Sequence, residues 1–299
     1  MTDPVLHPAP PFRGVLHEQV RAVGGALRLP AIAAAVLMAL ATVLFAGEVV
    51  GEGAVADFHP ERWVLPGVVG LLLPIGVWMW EKPFADAFLW TLPVGRRRHA
   101  LAKAGAGWAW LMAAVGVFVL WLLVMALVSG GNVLGEETVR FAAAIPEMRP
   151  LDPAAVRTLQ WAPRPVLWLV PFVAATATYL LATALALGTR YPWRWLVGVV
   201  LGFFLIAIVS EATHALWLGT WPAELLKGLI YGRYGLETLL IANTESLRSE
   251  TLLTTGEAVR VWQGVPDAGR WVAAAVLWLA LGLLALWAAA ARHRETRRG

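Results

Sequence analysis

From Ala104 to Val128 the chain runs through 25 residues without one charged side chain. An α-helix of that length rises about 37 Å, and about 20 apolar residues suffice to cross a hydrocarbon core of about 30 Å. A surface like this must be hidden from water, and the remainder of the chain is too apolar to leave it any ordinary soluble solution. Further apolar runs occupy 31–50, 64–80, 165–188, 195–219 and 271–291. With 59% hydrophobic and 15% charged residues and a mean hydropathy of +0.66, the 299-residue chain lies far outside soluble globular usage. The expectation is an all-α integral membrane protein with six transmembrane helices.

The segments between these runs divide the chain. Residues 1–30 form a tail and an interfacial amphipathic helix. The leading stretch, 1–11, is polar and proline-rich and lacks the apolar core and cleavage site of a signal peptide. From Phe12 onward Leu16, Val20, Val23 and Leu27 recur at helical spacing, with Arg13, His17, Glu18 and Arg21 opposite, and Pro30 is expected to end the helix. Residues 31–291 form the six-span domain, in which Pro66 and Pro74 are tolerable because neighbouring spans can satisfy the freed carbonyl groups. Residues 292–299 are a basic tail.

Six spans place both termini on one side. That side holds Arg13, Arg21 and Arg28, then Lys82, Arg96, Arg97, Arg98 and Lys103, then Arg190 and Arg194, and finally the arginines of the tail. The opposite side carries an acidic excess, so the termini and the 81–103 turn are expected in the cytoplasm. The loops 129–164 and 220–270 are then external. The first is expected to hold a short helix from Asp152 to Gln160. In the second, Thr220 to Ile241 is too charged to span and reads as re-entrant or external helices before the last span, with Gly228, Gly232 and Gly235 as bends. Apolar anchors such as Phe141, Leu159, Trp161, Ile230, Leu240 and Trp262 predict an ordered cap rather than two solvated linkers.

Within the turn, Phe84, Phe88 and Leu92 fall at i, i+4 and i+8 and form an apolar stripe, which Pro93 and Gly95 terminate before Arg96. A new helix is expected near His99. Such a stripe beside a basic corner calls for a receiving surface, either lipid headgroups or a protein groove.

Several chemistries lack their residues. Without cysteine there are no disulfides or thiolate metal sites, and the three lysines, Lys82, Lys103 and Lys227, precede Pro, Ala and Gly, so no phosphate-binding GK[ST] loop occurs. No catalytic residues, bound cofactor, metal site or nucleic-acid partner are expected. Two intramembrane titratable groups stand out. Glu211 and His214, at i and i+3, share a helix face in the fifth expected span, unless that span ends near Ser210 and leaves both at its wet boundary. Two ligands are too few for a metal. Of the 17 tryptophans many sit near expected span ends, where indole rings favour headgroup depth, whereas Trp108, Trp110, Trp121 and Trp278 lie deeper and either pack or line a substrate path.

The topology, the interfacial helix, the helices before the last span and the stretch FLWTLPVGRRRHALAK resemble the permease subunits of ABC-2 type exporters. That family's turn runs from an acidic residue through a leucine-proline-small-arginine core to a lysine, matched here by Glu81, Leu92, Pro93, Val94, Gly95, Arg96 and Lys103. The resemblance implies that Phe84, Phe88 and Leu92 belong to a coupling helix docking on a separate cytoplasmic ATPase, which binds the ATP and Mg. It also implies a dimer with a second copy or a related permease, in a bacterial or archaeal inner (plasma) membrane. An accessory periplasmic protein on the longer external loops stays open, as does the substrate. Two other classes of function remain: a membrane hydrolase or transferase using Glu211 and His214, for which no nucleophile motif is present, and a non-transporting assembly subunit.

Overall fold

The computed structural model describes residues 12–78, 96–143, 150–189 and 216–292, with isolated helical positions between Arg194 and Val209. Among these residues four helices are long and apolar enough to cross a membrane, and a fifth, shorter apolar helix accompanies them. The expected span 195–219 lies mostly outside the described residues. Leu201, Leu205 and Ile208 within it are helical and exposed.

Helix α1 (Phe12–Ala26) is followed after Leu27 by α2 (Arg28–Glu52). Pro30 therefore does not end the first helix. It sits in the first turn of α2, where a missing N–H and a fixed φ are harmless. Rather than resting on lipid alone, α1 packs along the helix Arg96–Ser129, with Val23 and the following Leu27 buried, and Trp110 Nε1 of that helix donates to Val20 O at 2.9 Å. By contrast, no residue of α2 is buried, as suits a helix facing lipid. Trp121 Nε1 ties it to the bundle by donating to Thr42 Oγ1 at 2.9 Å.

Helices α3 (Leu65–Trp78), α4 (Arg96–Ser129), α5 (Val170–Gly188) and α8 (Ala268–Arg292) form the packed bundle. Its centre is α5, whose small residues Ala174, Ala175, Ala177, Thr178 and Thr183 let neighbouring backbones approach closely, the usual means of helix association where lipid supplies no hydrophobic drive. Thr178 Oγ1 lies 2.8 Å from Gly67 O, bridging α5 to α3. The fully buried Tyr179 donates from its hydroxyl to Ala104 O of α4 at 2.8 Å, in a space that exists because residue 107 is glycine. The start of α4 differs slightly from expectation: the helix opens at Arg96 rather than near His99, arginine being a good helix former.

The all-α expectation is corrected by a four-stranded sheet that joins the two long loops. Strands β1 (Glu137–Phe141) and β2 (Arg157–Trp161) pair antiparallel, as do β3 (Arg248–Leu252) and β4 (Ala258–Trp262). The order is β2-β1-β4-β3, with β1 and β4 meeting in parallel at Phe141 and Trp262. Ala142, Leu151, Leu253, Val259 and Val261 make the sheet's own small core. The helix expected from Asp152 to Gln160 is replaced by one 3-10 turn, Pro153–Ala155, followed by β2. Asp152 does cap that turn, accepting from Ala154 N at 2.9 Å, but Val156 and Thr158 are β-branched and the strand partner wins.

Between the sheet's halves, α6 (Leu216–Tyr231) and α7 (Leu236–Ile241) form a helical pair before α8. The chain reverses at Gly232 and Gly235, where any Cβ would strike the carbonyl groups ending α6. Gly228, expected as a further bend, lies inside α6.

Candidate functional site

The expected docking residues Glu81, Phe84, Phe88, Leu92 and Pro93 lie outside the described residues, as do Glu211 and His214. Arg96 opens α4, and its side chain is likewise outside them. What the structure describes is the end of α3 and the start of α4, the two helices on either side of residues 79–95. Trp78 closes α3, Lys103 lies in the second turn of α4, and the ammonium Nζ sits 4.9 Å from the Trp78 ring centroid. Both side chains are buried. A desolvated ammonium against an indole face is worth about 2 kcal/mol, far more than the same contact in water. Around them Val23 from α1 and the following Leu27, Val77 from α3, Ala100 and Ala104 from α4, and Leu286 and Ala289 from α8 form one apolar cluster. Arg97 is half-buried, its Cζ 5.9 Å from the Trp287 ring of α8, whereas Arg98 is exposed. Among the described residues around this contact no reactive constellation is present. Mechanically the contact joins the end of α3 to the start of α4 in one packed unit.

Each of the deep tryptophans makes a hydrogen bond to another segment. Trp108 Nε1 donates to Thr176 Oγ1 at 3.1 Å, and Trp278 Nε1 to Tyr234 O at 2.9 Å, as Trp110 and Trp121 do to Val20 and Thr42. Trp108, Trp110 and Trp121 each bond to a helix other than their own, and Trp278 bonds to the turn before α7, while the Trp108 and Trp110 side chains stay exposed.

A second constellation, not singled out in the sequence, lies where the sheet meets the bundle. The loop after α2 carries a 3-10 turn, Pro60–Arg62, with Glu61 fully buried and His59 nearly so. His59 Nδ1 is 3.2 Å from Glu61 Oε1, and its Nε2 is 3.9 Å from Glu137 Oε2 on β1. Arg62 pairs through Nη2 with Glu137 Oε1, and its Cζ lies 5.9 and 5.8 Å from the rings of Trp161 and Trp262. Arg248 of β3 faces the Trp262 ring at 5.1 Å. Burial lowers the Arg248 pKa, and the neighbouring Arg62 guanidinium adds to that, while Glu137 and Glu245 oppose it. Arginine nevertheless stays protonated, so the group acts as a fixed cation.

This junction connects three segments far apart in sequence: the α2–α3 loop, β1 and the β3–β4 hairpin. The run His59, Pro60, Glu61, Arg62 was visible as two charges beside a proline, yet its meaning depended on a strand partner 75 residues away. Such buried charges specify geometry more than they add stability, since desolvation offsets most of their attraction. Among the described residues no group of three or more His, Asp or Glu is placed to hold a metal ion. Comparison of the chain with family models, curated proteins and solved structures found no match.

Proposed function

We propose that the chain is the membrane-spanning permease subunit of an ATP-driven ABC-2 type exporter, with six spans, both termini cytoplasmic and the sheet on the outer side. It works as a dimer with itself or a related permease and takes its energy from a separate cytoplasmic ATPase. The observation that supports this reading is the contact of Trp78 with Lys103. Trp78 ends α3 and Lys103 lies near the start of α4, so a displacement of the connection between these helices would be delivered to both together. Because α5 is packed against α3 and α8, that displacement would continue across the bundle.

The absence of cysteine makes the topology directly testable. Single cysteines placed at Ala9, Gly256 and Gly299 in intact cells should react with a membrane-impermeant maleimide only at Gly256. Co-expression with a P-loop ATPase encoded beside the chain should yield a membrane complex whose ATP hydrolysis drives outward transport. Reaction at a terminus from outside, or no ATPase partner in the membrane fraction, would overturn the proposal.

A further inference from the structure

The turn between α6 and α7 lies along the first turns of α8. Arg270 Nε donates to Arg233 O at 2.6 Å, and Trp278 Nε1, further along α8, donates to Tyr234 O at 2.9 Å. The helix rises about 12 Å from residue 270 to residue 278, so the turn is fastened to it at two depths. α8 is long and apolar enough to cross a membrane, and between these two bonds its Val272, Val276 and Leu277 are exposed. Arg233 and Arg270 therefore stand at the end of α8 where an apolar, lipid-facing surface meets the headgroups. Arg233 is exposed, with its Cζ 5.5 Å from the ring of the exposed Tyr234, and Arg270 is half-buried. On the sheet, Arg140, Arg248 and Arg260 each face a glutamate. By contrast, among the described residues Arg233 and Arg270 have no carboxylate within 4.0 Å, and of their guanidinium nitrogens Arg270 Nε alone donates a hydrogen bond. The neighbouring acids are turned to backbone groups: Asp267 Oδ1 accepts from Gly269 N and Arg270 N, and Glu237 Oε1 from Ser246 N.

Two neighbouring guanidiniums without a counter-ion, at the edge of a surface that faces hydrocarbon, call for an anion that the membrane itself can supply. We propose that Arg233 and Arg270 bind the phosphate of an anionic phospholipid in the leaflet on the sheet's side, with its acyl chain lying along Val272 and Val276. A phosphodiester presents the acceptor oxygens that the guanidinium fork matches. Net charge selects the lipid. Phosphatidylglycerol brings its phosphate charge uncompensated, whereas the choline of phosphatidylcholine offsets that charge and would approach the same two cations. A soluble phosphate has the head without the chain, so it forgoes the contact with the exposed valines. The inference rests on α8 crossing the membrane and not on the permease reading.

Because the chain has no cysteine, Val276→Cys can carry a single bimane fluorophore in the purified full chain. The labelled protein is placed in phosphatidylcholine nanodiscs, and quenching is measured with phosphatidylglycerol or phosphatidylcholine brominated in the upper half of the acyl chain. At Val276 the brominated phosphatidylglycerol should quench at a mole fraction about tenfold lower than the phosphatidylcholine of the same chain. A reporter at Leu120→Cys, exposed on α4 at a similar distance from that helix's outer end, should show no such preference. Arg233→Gln should lower the preference at Val276 by about fivefold, and Arg270→Gln should do the same and is the deciding variant if Arg233→Gln does not fold. Excess glycerol phosphate should leave the preference intact. Equal quenching by the two lipids at Val276, the same preference at Leu120, a preference retained in the folded arginine variants, or its loss to glycerol phosphate would each overturn the proposal. Quenching by neither lipid would overturn it together with the membrane placement of α8. No ATPase enters the experiment, so failure to find one leaves the result untouched.

Discussion

Lys103 Nζ sits 4.9 Å from the centre of the Trp78 ring, so the residue that closes α3 and a residue in the second turn of α4 are joined inside the protein. Their burial within one apolar cluster means that neither helix end can shift alone. Lys103→Met keeps most of the volume and the packing of the stem while removing the cation. It should lower stability by about 1–2 kcal/mol, the range of a desolvated cation–π contact. Thermal melting of the purified variant in detergent reads this directly, and a midpoint identical to that of the parent would mean the contact carries no energy.

The close approach of α4 and α5 yields a second prediction. A methyl group at position 107 would overlap the Tyr179 hydroxyl, which is itself bonded to Ala104 O. Gly107→Ala therefore requires the helices to separate and breaks the bond from the Tyr179 hydroxyl to Ala104 O, a loss of about 2–4 kcal/mol from overpacking and the broken bond together. Tyr179→Phe relieves the overlap at the cost of the bond alone, so the double variant should be more stable than Gly107→Ala. Melting midpoints of the three variants check the order, and additive losses would contradict it.

The junction beneath the sheet makes the third. Glu137→Ala removes the carboxylate nearest Arg62 and leaves only the more distant Glu61, 3.8 Å from Arg62 Nε, which should cost about 1.5–3 kcal/mol and loosen the sheet from the bundle. Limited proteolysis of the parent should give few rapid cuts at the described residues of 129–164 and 220–270, whereas Glu137→Ala should be cleaved there first. Rapid cleavage of the parent throughout both segments would contradict an ordered cap.

How much of this was legible differs by element. The long uncharged runs announced α2, α4, α5 and α8 because crossing a bilayer demands a length that little else requires. The stripe of Val23 and Leu27 was visible too, but its partner was not: periodicity names the buried face without saying whether lipid or α4 covers it. The sheet was missed because its strands are five residues long, and β1 and β4, the pair that joins its halves, come from different loops. Asp152 and Pro153 are a genuine helix-start signal, and local chemistry produced one turn before non-local pairing took over. The junction of His59, Glu61 and Arg62 was illegible for the same reason, since Glu137 and Trp262 give those charges their role.

Glu211 carries a fourth prediction from sequence alone. A carboxylate in the middle of a span is unfavourable by about 2.5–3.5 kcal/mol unless it faces protein or water. Glu211→Gln should then preserve expression and assembly while altering transport or its pH dependence. Transport unchanged between pH 5.5 and 8.5 would place the residue at a wet boundary instead.

The central claim is that the 81–103 turn receives the motion of an ATPase. A groove that accepts Phe84, Phe88 and Leu92 makes the middle aromatic the anchor, whose truncation costs more than about 1 kcal/mol, while a rim charge costs less. Arg98 is the proper control for charge, because Arg97 is half-buried against Trp287 and its loss also removes packing. The most direct measurement is co-purification of the ATPase with Phe88→Ala and with Arg98→Ala at low and high salt, alongside ATP-driven transport. The account predicts that Phe88→Ala releases the ATPase or uncouples hydrolysis from transport, and that Arg98→Ala changes only the salt dependence. Retained, salt-independent pairing with normal transport in Phe88→Ala would contradict it.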